Sequence, residues 1–139
     1  MICVDASVVV RLVVEGTPGT VWYETWARWL AARERFVAPS LLPCELTNAL
    51  HRYVVAGHLT AAEADAALDA ALNLGIEFSA SPAQHGHAAA LARRLDRPAT
   101  YDAHYLAVAE MTASAFFTAD KRLHAAVGSH LPWVHLLEA

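Results

Sequence analysis

The sequence predicts an α/β protein in which a central parallel sheet of about five strands carries helices on both faces. Three observations predict it. Short apolar strand candidates alternate with helical stretches, in the order strand, helix, helix, strand, helix, helix, strand, helix, helix, strand, helix, strand. Such alternation builds a parallel sheet with right-handed crossovers. The first candidate, Ile2-Cys3-Val4, is a continuous apolar run, as expected of a strand buried on both faces. It stops abruptly at Asp5, which puts a carboxylate just beyond a strand's carboxyl end, where open α/β sheets bind ligands.

Composition bounds the rest. The 139 residues suit one domain, spanning 1–139, and 56% hydrophobic against 17% charged content excludes a disordered chain. No apolar run approaches the roughly 20 residues that span a bilayer, and the start lacks the basic region and apolar core of a signal peptide. Two cysteines, Cys3 and Cys44, fit a reducing compartment and are expected to be buried thiols. The expected location is therefore the cytoplasm. A net charge of −4 is unusual for a nucleic-acid binder. If four of the fourteen acids gather in one site, however, ten remain against ten Lys and Arg, and bound divalent cations would reverse the local field.

Taken in order, Asp5 ends the first strand and Ser7 is a good N-cap for a helix from Val8 to Val14. Glu15-Gly-Thr-Pro-Gly19 is a loop. Thr20 to Arg33 has helical periodicity, with Trp22, Trp26, Trp29 and Leu30 on one stripe. That stripe has two readings, core packing or a partner surface, since tryptophan is enriched at interface hot spots. Arg35 to Ala38 is a strand stopped by Pro39, and Ser40 to Ala56 is a helix ended by Gly57. This helix carries Glu45 and Asn48 three apart, on one face.

Thr60-Ala-Ala-Glu63 matches a capping box for a helix ending at Gly75, whose acids Glu63, Asp65 and Asp69 form a solvated face. Ile76 to Ser79 is a strand, and Pro82 opens a helix running to about Leu95. His85 and His87 in it are two apart, point in different directions, and are expected to be solvated. After a turn at Asp96-Arg97-Pro98, Thr100 caps a helix with Asp102 in its first turn. Ala115 to Thr118 is a strand followed by Asp120 and a helix from Lys121 to Val127, and Pro132 to Leu137 is the last strand.

Asp5, Glu45, Asp102 and Asp120 thus all fall just past strands or near helix starts, where they can converge at one rim of the sheet. Each also has a plain alternative, as a helix cap, a turn residue or a solvated charge. Four converging carboxylates would raise one another's pKa values and destabilise the fold unless cations sat among them. Hard oxygen donors without convergent Cys or His suit Mg²⁺ or Mn²⁺.

These segments resemble the PIN-domain ribonucleases, and within them the VapC-type toxins of toxin–antitoxin pairs, over the whole length. The motifs are Val4-Asp5-Ala6-Ser7, the Pro39 to Asn48 segment with Glu45-Leu46-Thr47-Asn48, Asp102-Ala103-His104-Tyr105-Leu106-Ala107-Val108-Ala109, and Thr118-Ala119-Asp120. Pro43, two residues before Glu45, and His124, in place of a small residue, depart mildly from the pattern. The resemblance implies a PIN-like α/β/α sandwich and a Mg²⁺- or Mn²⁺-dependent endoribonuclease. It further implies that Asp5 and Asp102 hold the principal metal, with Asp120 and Glu45 completing its water shell or holding a second ion. Ser7 and Thr118 are within reach to orient these groups, while Asn48 and Tyr101 have weaker claims. Arg11, Arg93, Arg94, Arg97, Lys121 and Arg122 are candidates for phosphate contact. Implied partners are an RNA substrate (tRNA, rRNA or mRNA), a VapB-type antitoxin and a second copy in a homodimer, with no membrane. The alternative is a PIN fold acting as a non-catalytic nucleic-acid or protein binding module. A haloacid-dehalogenase-type phosphatase would need a second Asp at position 7, where Ser7 stands, and a receiver domain would need a late lysine that Lys121 matches poorly.

Overall fold

Five parallel strands run in the order β3-β2-β1-β4-β5 in the computed structural model, which describes residues 1–139. They are β1 (Ile2–Val4), β2 (Phe36–Pro39), β3 (Ile76–Ser79), β4 (Ala115–Thr118) and β5 (Val134–Leu136). The central strand is β1, and all three of its residues are buried, as their unbroken apolar run requires. The chain winds outward from β1 through β2 to β3, then returns to add β4 on the other side of β1. This reversal makes the carboxyl ends of β1 and β4 the topological switch point, where an α/β sheet opens a crevice.

Seven helices cover the sheet: α1 (Ala6–Glu15), α2 (Val21–Ala31), α3 (Leu42–Val55), α4 (Ala61–Leu72), α5 (Ala83–Arg94), α6 (Tyr101–Met111) and α7 (Lys121–Val127). The result is the α/β/α sandwich with an all-parallel five-stranded sheet that the alternation predicted. Helix α6 lies against β1, β2 and β4 and is itself covered by α5. Six of its residues between Ala103 and Ala109 are consequently buried, and their Ala-rich run suits a helix enclosed on most sides. Helix α1 packs against α2, α3 and α4. The capping box at Thr60 and Glu63 is formed in both directions, at 3.1 Å each. Gly57 and Gly75 take the positive φ values of 78° and 80° that end α3 and α4.

The tryptophan stripe is core. Trp22 and Trp26 are each 6% exposed, and Trp26 stacks on Phe36 of β2 at 4.2 Å. Half-buried Trp29 meets Phe117 of β4 edge-on at 4.8 Å. Leu30, at the edge of the same stripe, is left 54% exposed.

Several local expectations need correction. Ser7 is not the N-cap of α1; Asp5 holds that position, and Ser7 lies inside the first turn. Pro39 ends β2 from within the strand, paired with Ser79, because a proline at a strand end gives up only one ladder donor. Helix α3 begins at Leu42 and not Ser40, with Pro43 in its first turn. Thr100 makes no side-chain cap bond. Cys44 is exposed on α3, whereas Cys3 is buried as expected. His85 and His87 do reach solvent as expected, and each also has a partner: His85 Nδ1 lies 3.0 Å from His104 Nε2, and His87 lies 3.6 Å from Glu110.

Core placement of the stripe sets a stability test. Trp26→Ala should cost about 3–5 kcal/mol, the usual range for deleting a buried aromatic side chain, while Leu30→Ala should stay within about 0.5 kcal/mol. Urea unfolding of both variants measures this, and equal small losses would contradict the packing described.

Candidate active site

The switch point is organised by Asp5. Its main chain continues the β1–β4 ladder, donating from N–H to the Phe117 carbonyl at 3.0 Å. It then turns into α1, and the Asp5 carbonyl accepts from the N–H groups of Val8 and Val9. The side chain does not cap that helix. It points instead into a net of hydroxyls, where Ser7 Oγ donates to Asp5 Oδ2 at 2.8 Å and Thr118 Oγ1 donates to the same oxygen at 2.6 Å. Each hydroxyl also accepts a backbone N–H from the β4–α7 turn, Ala119 N–H onto Ser7 at 2.9 Å and Asp120 N–H onto Thr118 at 3.0 Å. Two donors on one oxygen, each fixed by the β4–α7 turn, hold the carboxylate in one orientation.

The other acids surround it. Glu45, in the first turn of α3, accepts from the Tyr105 hydroxyl at 2.7 Å on Oε1. Asp120 is the N-cap of α7, its Oδ1 accepting from Arg122 N–H at 2.9 Å and Leu123 N–H at 3.1 Å. For Asp120 the plain capping reading is therefore realised, and for Asp5 it is not. Asp102 lies in the first turn of α6, with Arg97 Nη2 3.9 Å from its Oδ2. A pattern runs through the set. Asp5, Glu45 and Asp120 are each anchored through a single oxygen, and the second oxygen of each accepts no hydrogen bond from the protein.

The electrostatics show that the four share a field. Asp5 is 7% exposed, and its pKa is pushed up to about 6, chiefly by burial. The hydrogen bonds from Thr118 and Ser7 pull the other way, and the charges of Asp102 and Asp120 add to the rise. Glu45 is raised by burial, with Tyr105 opposing and Asp5 and Asp102 contributing. Asp102 is raised by burial and by Asp120, with Arg97 opposing. The carboxylates thus sense one another, yet no three stand close enough to make a finished ligand set by themselves. The donors are all oxygens, the kind that hard divalent cations take. Mg²⁺ takes one or two carboxylates directly and keeps several waters.

The remaining candidates are distributed unevenly. Asn48 is exposed one turn after Glu45 and shares no hydrogen bond with the acids, and Tyr101 is 66% exposed beside Asp102. Arg11 pairs with Glu15 at 3.1 Å and lies over the Trp22 ring, Lys121 pairs with Glu138 at 3.4 Å, and Arg94 pairs with Glu110 at 3.7 Å. Arg93 and Arg122 are exposed without an ion-pair partner, and Arg122 stands two residues from Asp120. Sequence reasoning missed Tyr105 as a partner of Glu45. The available signal was a polar-tipped aromatic inside a stripe of Ala, Leu and Val, since a buried tyrosine hydroxyl usually finds a partner.

The molecule is thus a parallel α/β protein with a hydroxyl-braced acidic cluster at its switch point. Residues 2–128 match the family model of the PIN domain, and the chain belongs to that family. PIN domains are in general nucleases that work with divalent metal ions. No curated protein matches the chain.

The raised pKa of Asp5 fixes the sign of a pH effect. Asp5 keeps its proton to a higher pH in the folded state, about 6, than at its ordinary value of 3.8. Its favourable contribution is therefore fully present below about pH 3.8 and is lost as pH rises through about 6. That difference corresponds to about 3 kcal/mol. In metal-free buffer, Asp5→Asn should match wild type near pH 4 and become more stable by up to about that amount at pH 7. Unfolding curves at both pH values measure this; a difference that stays flat across the range would mean the carboxylate is not buried among like charges.

Proposed function

We propose that the chain is a metal-dependent endoribonuclease of the VapC toxin type, hydrolysing RNA phosphodiester bonds at the Asp5 site. The observation that carries this reading is the set of carboxylates anchored through one oxygen each, with the second oxygen left to the rim. Asp120 engages its oxygen as a helix cap, but Asp5 and Glu45 are acids out of full solvent that are held by hydroxyls and cap nothing, and a hydrated cation would use the oxygens they have left.

Asp5 and Asp102 would hold a Mg²⁺ or Mn²⁺ ion, with Glu45 and Asp120 ordering its waters or sharing a second ion. When bound, the cation supplies charge neutralisation at the phosphodiester and a water of lowered pKa. The chain's own residues do the rest. Ser7 and Thr118 keep Asp5 Oδ2 occupied, so that Oδ1 is the oxygen offered. Arg97 offsets the charge on Asp102 from the side. Arg122, held at the start of α7 by the Asp120 cap, is the free cation best placed to meet a backbone phosphate. Arg11 and Lys121 already hold carboxylate partners and have weaker claims.

The partners follow from the same site. We infer a VapB-type antitoxin that silences it by placing an Arg or Lys among the carboxylates, where the cation replaces the metal electrostatically. The apolar contact for its tail is not the tryptophan stripe, which is core. The exposed end of α3 suits it better: Ala49, Tyr53, Val55 and Ala56 line a groove together with Arg52 and His58, and Val55 is 74% exposed. A homodimer is part of this reading.

The purified protein should cleave RNA in Mn²⁺ or Mg²⁺ and stop in EDTA. Asp5→Asn and Asp102→Asn should abolish cleavage, a loss of at least about 100-fold, and should end growth inhibition on expression while the protein stays folded. Asp120→Asn should also lose activity yet keep its melting temperature, since Asn caps as well as Asp; Asp120→Ala should cost about 1 kcal/mol in addition. A folded wild-type protein that binds no divalent ion at millimolar concentration and cleaves nothing would leave a non-catalytic PIN module. Separately, co-expression with a short neighbouring open reading frame, encoding a DNA-binding segment and a polar tail, should restore growth. Continued growth arrest with every adjacent frame would remove the toxin–antitoxin reading and leave the nuclease.

A further inference from the structure

Tyr105 of α6, the helix that carries Asp102, touches α3, which carries Glu45, and the strands β1 and β4 that lead into Asp5 and Asp120. It lies on α6 three residues after Asp102, and so on the same side of that helix. Its backbone carbonyl accepts the Cys3 thiol of β1 at 3.6 Å, two residues before Asp5. Its ring packs against Phe116 of β4 at 5.9 Å, two residues before Thr118. Its hydroxyl donates to Glu45 of α3 at 2.7 Å, across 60 residues of sequence.

We propose that Tyr105 is the positioning residue of the acidic site, holding the Glu45 carboxylate at the rim against the repulsion of Asp5 and Asp102; this rests on the nuclease reading above. Glu45 is the one acid of the four that sits on a long side chain and is anchored by a single hydrogen bond. Asp5 has two donors and Asp120 has two, on shorter side chains. Without its donor, Glu45 has the rotamer freedom to swing outward, and two neighbouring negative charges would drive it there. The phenol prevents this. Its ring is 1% exposed and clamped between sheet and helix, so the hydroxyl cannot follow a retreating carboxylate. A tyrosine serving only the core would need no hydroxyl, because phenylalanine makes the same ring contact with Phe116.

The test is a mutant cycle read by Mn²⁺ calorimetry, RNA cleavage and melting temperature. Tyr105→Phe keeps the ring and should fold with nearly the wild-type melting temperature. Its Mn²⁺ affinity and kcat should fall about 10- to 100-fold, as when a partner of a metal ligand is removed, with KM for RNA little changed. Glu45→Ala should lose at least as much, and adding Tyr105→Phe to it should lose no more, because the hydroxyl acts only through Glu45. If Tyr105→Phe failed to fold, Glu45→Asp would carry the test. Its shortened carboxylate withdraws from the phenol and must lose Mn²⁺ affinity at an unchanged melting temperature. Wild-type Mn²⁺ binding in Tyr105→Phe, or losses that add to those of Glu45→Ala, would overturn the proposal while leaving the nuclease intact. A wild-type protein that neither binds Mn²⁺ nor cleaves RNA would overturn both.

Discussion

The site depends on keeping one carboxylate, Asp5, out of water and among like charges. Burial alone would drive its proton on, and Asp102 and Asp120 push the same way. What opposes them is local and specific: two hydroxyls, from Ser7 and Thr118, both delivered to Oδ2. Neither hydroxyl is free to leave. Each is pinned in turn by a backbone N–H of the turn after β4, so the site is braced by the main chain of the neighbouring strand. A buried polar net of this kind is favourable only when every member is satisfied, and the pairing of β1 with β4 is what brings the members together.

The sheet order therefore does more than house a core. Because β4 returns to the side of β1 opposite β2, the ends of two strands distant in sequence lie next to each other where the crevice opens. Ser7 and Thr118 are separated by 111 residues yet approach to 3.4 Å. Apolar residues do the placing: Ile2, Cys3, Val4 and Phe116 are all buried, so the register between the two strands is fixed by burial on both faces. Hydrophobic burial sets the scaffold, and the polar net decides what the scaffold presents.

What the sequence made legible was whatever is carried locally. Periodicity, the Thr60–Glu63 box, and Gly57 and Gly75 located elements to within a few residues. Three other helix ends carried no such sign, because Arg33, Asp96 and Ala113 adopt positive φ without being glycine. The strand ends announced Asp5 and Asp120, but not that Asp120 would cap a helix while Asp5 would not. That difference is set by Ser7 and Thr118 offering Asp5 better partners than its own helix does. The contact of Tyr105 with Glu45 and that of His85 with His104 were equally invisible, since both join helices across long stretches of chain. The tryptophan stripe had the periodicity of a buried face and of a docking face alike. Only the presence of Phe36 and Phe117 on the strands beneath it decides between them.

The acids can finally be sorted by the valence each has left. A carboxylate held through both oxygens is structural, and one held through neither is a mobile surface charge. Asp5, Glu45 and Asp120 fall between, with one oxygen engaged and one unengaged, while Asp102 has only an ion pair at 3.9 Å. Their anchors differ in stiffness: buried hydroxyls for Asp5, a helix N-terminus for Asp120, a single phenol for Glu45, a guanidinium at long range for Asp102. On the reading proposed above, a cation entering such a set would meet donors fixed by hydroxyls at Asp5 and Glu45 and an adaptable one at Asp102. This gradation resolves the conflict between repulsion and convergence. The fixed members set where charge is concentrated, Asp102 is held only at long range by Arg97, and no three acids stand close enough to form a finished ligand set, so the fold is not required to hold four carboxylates in contact.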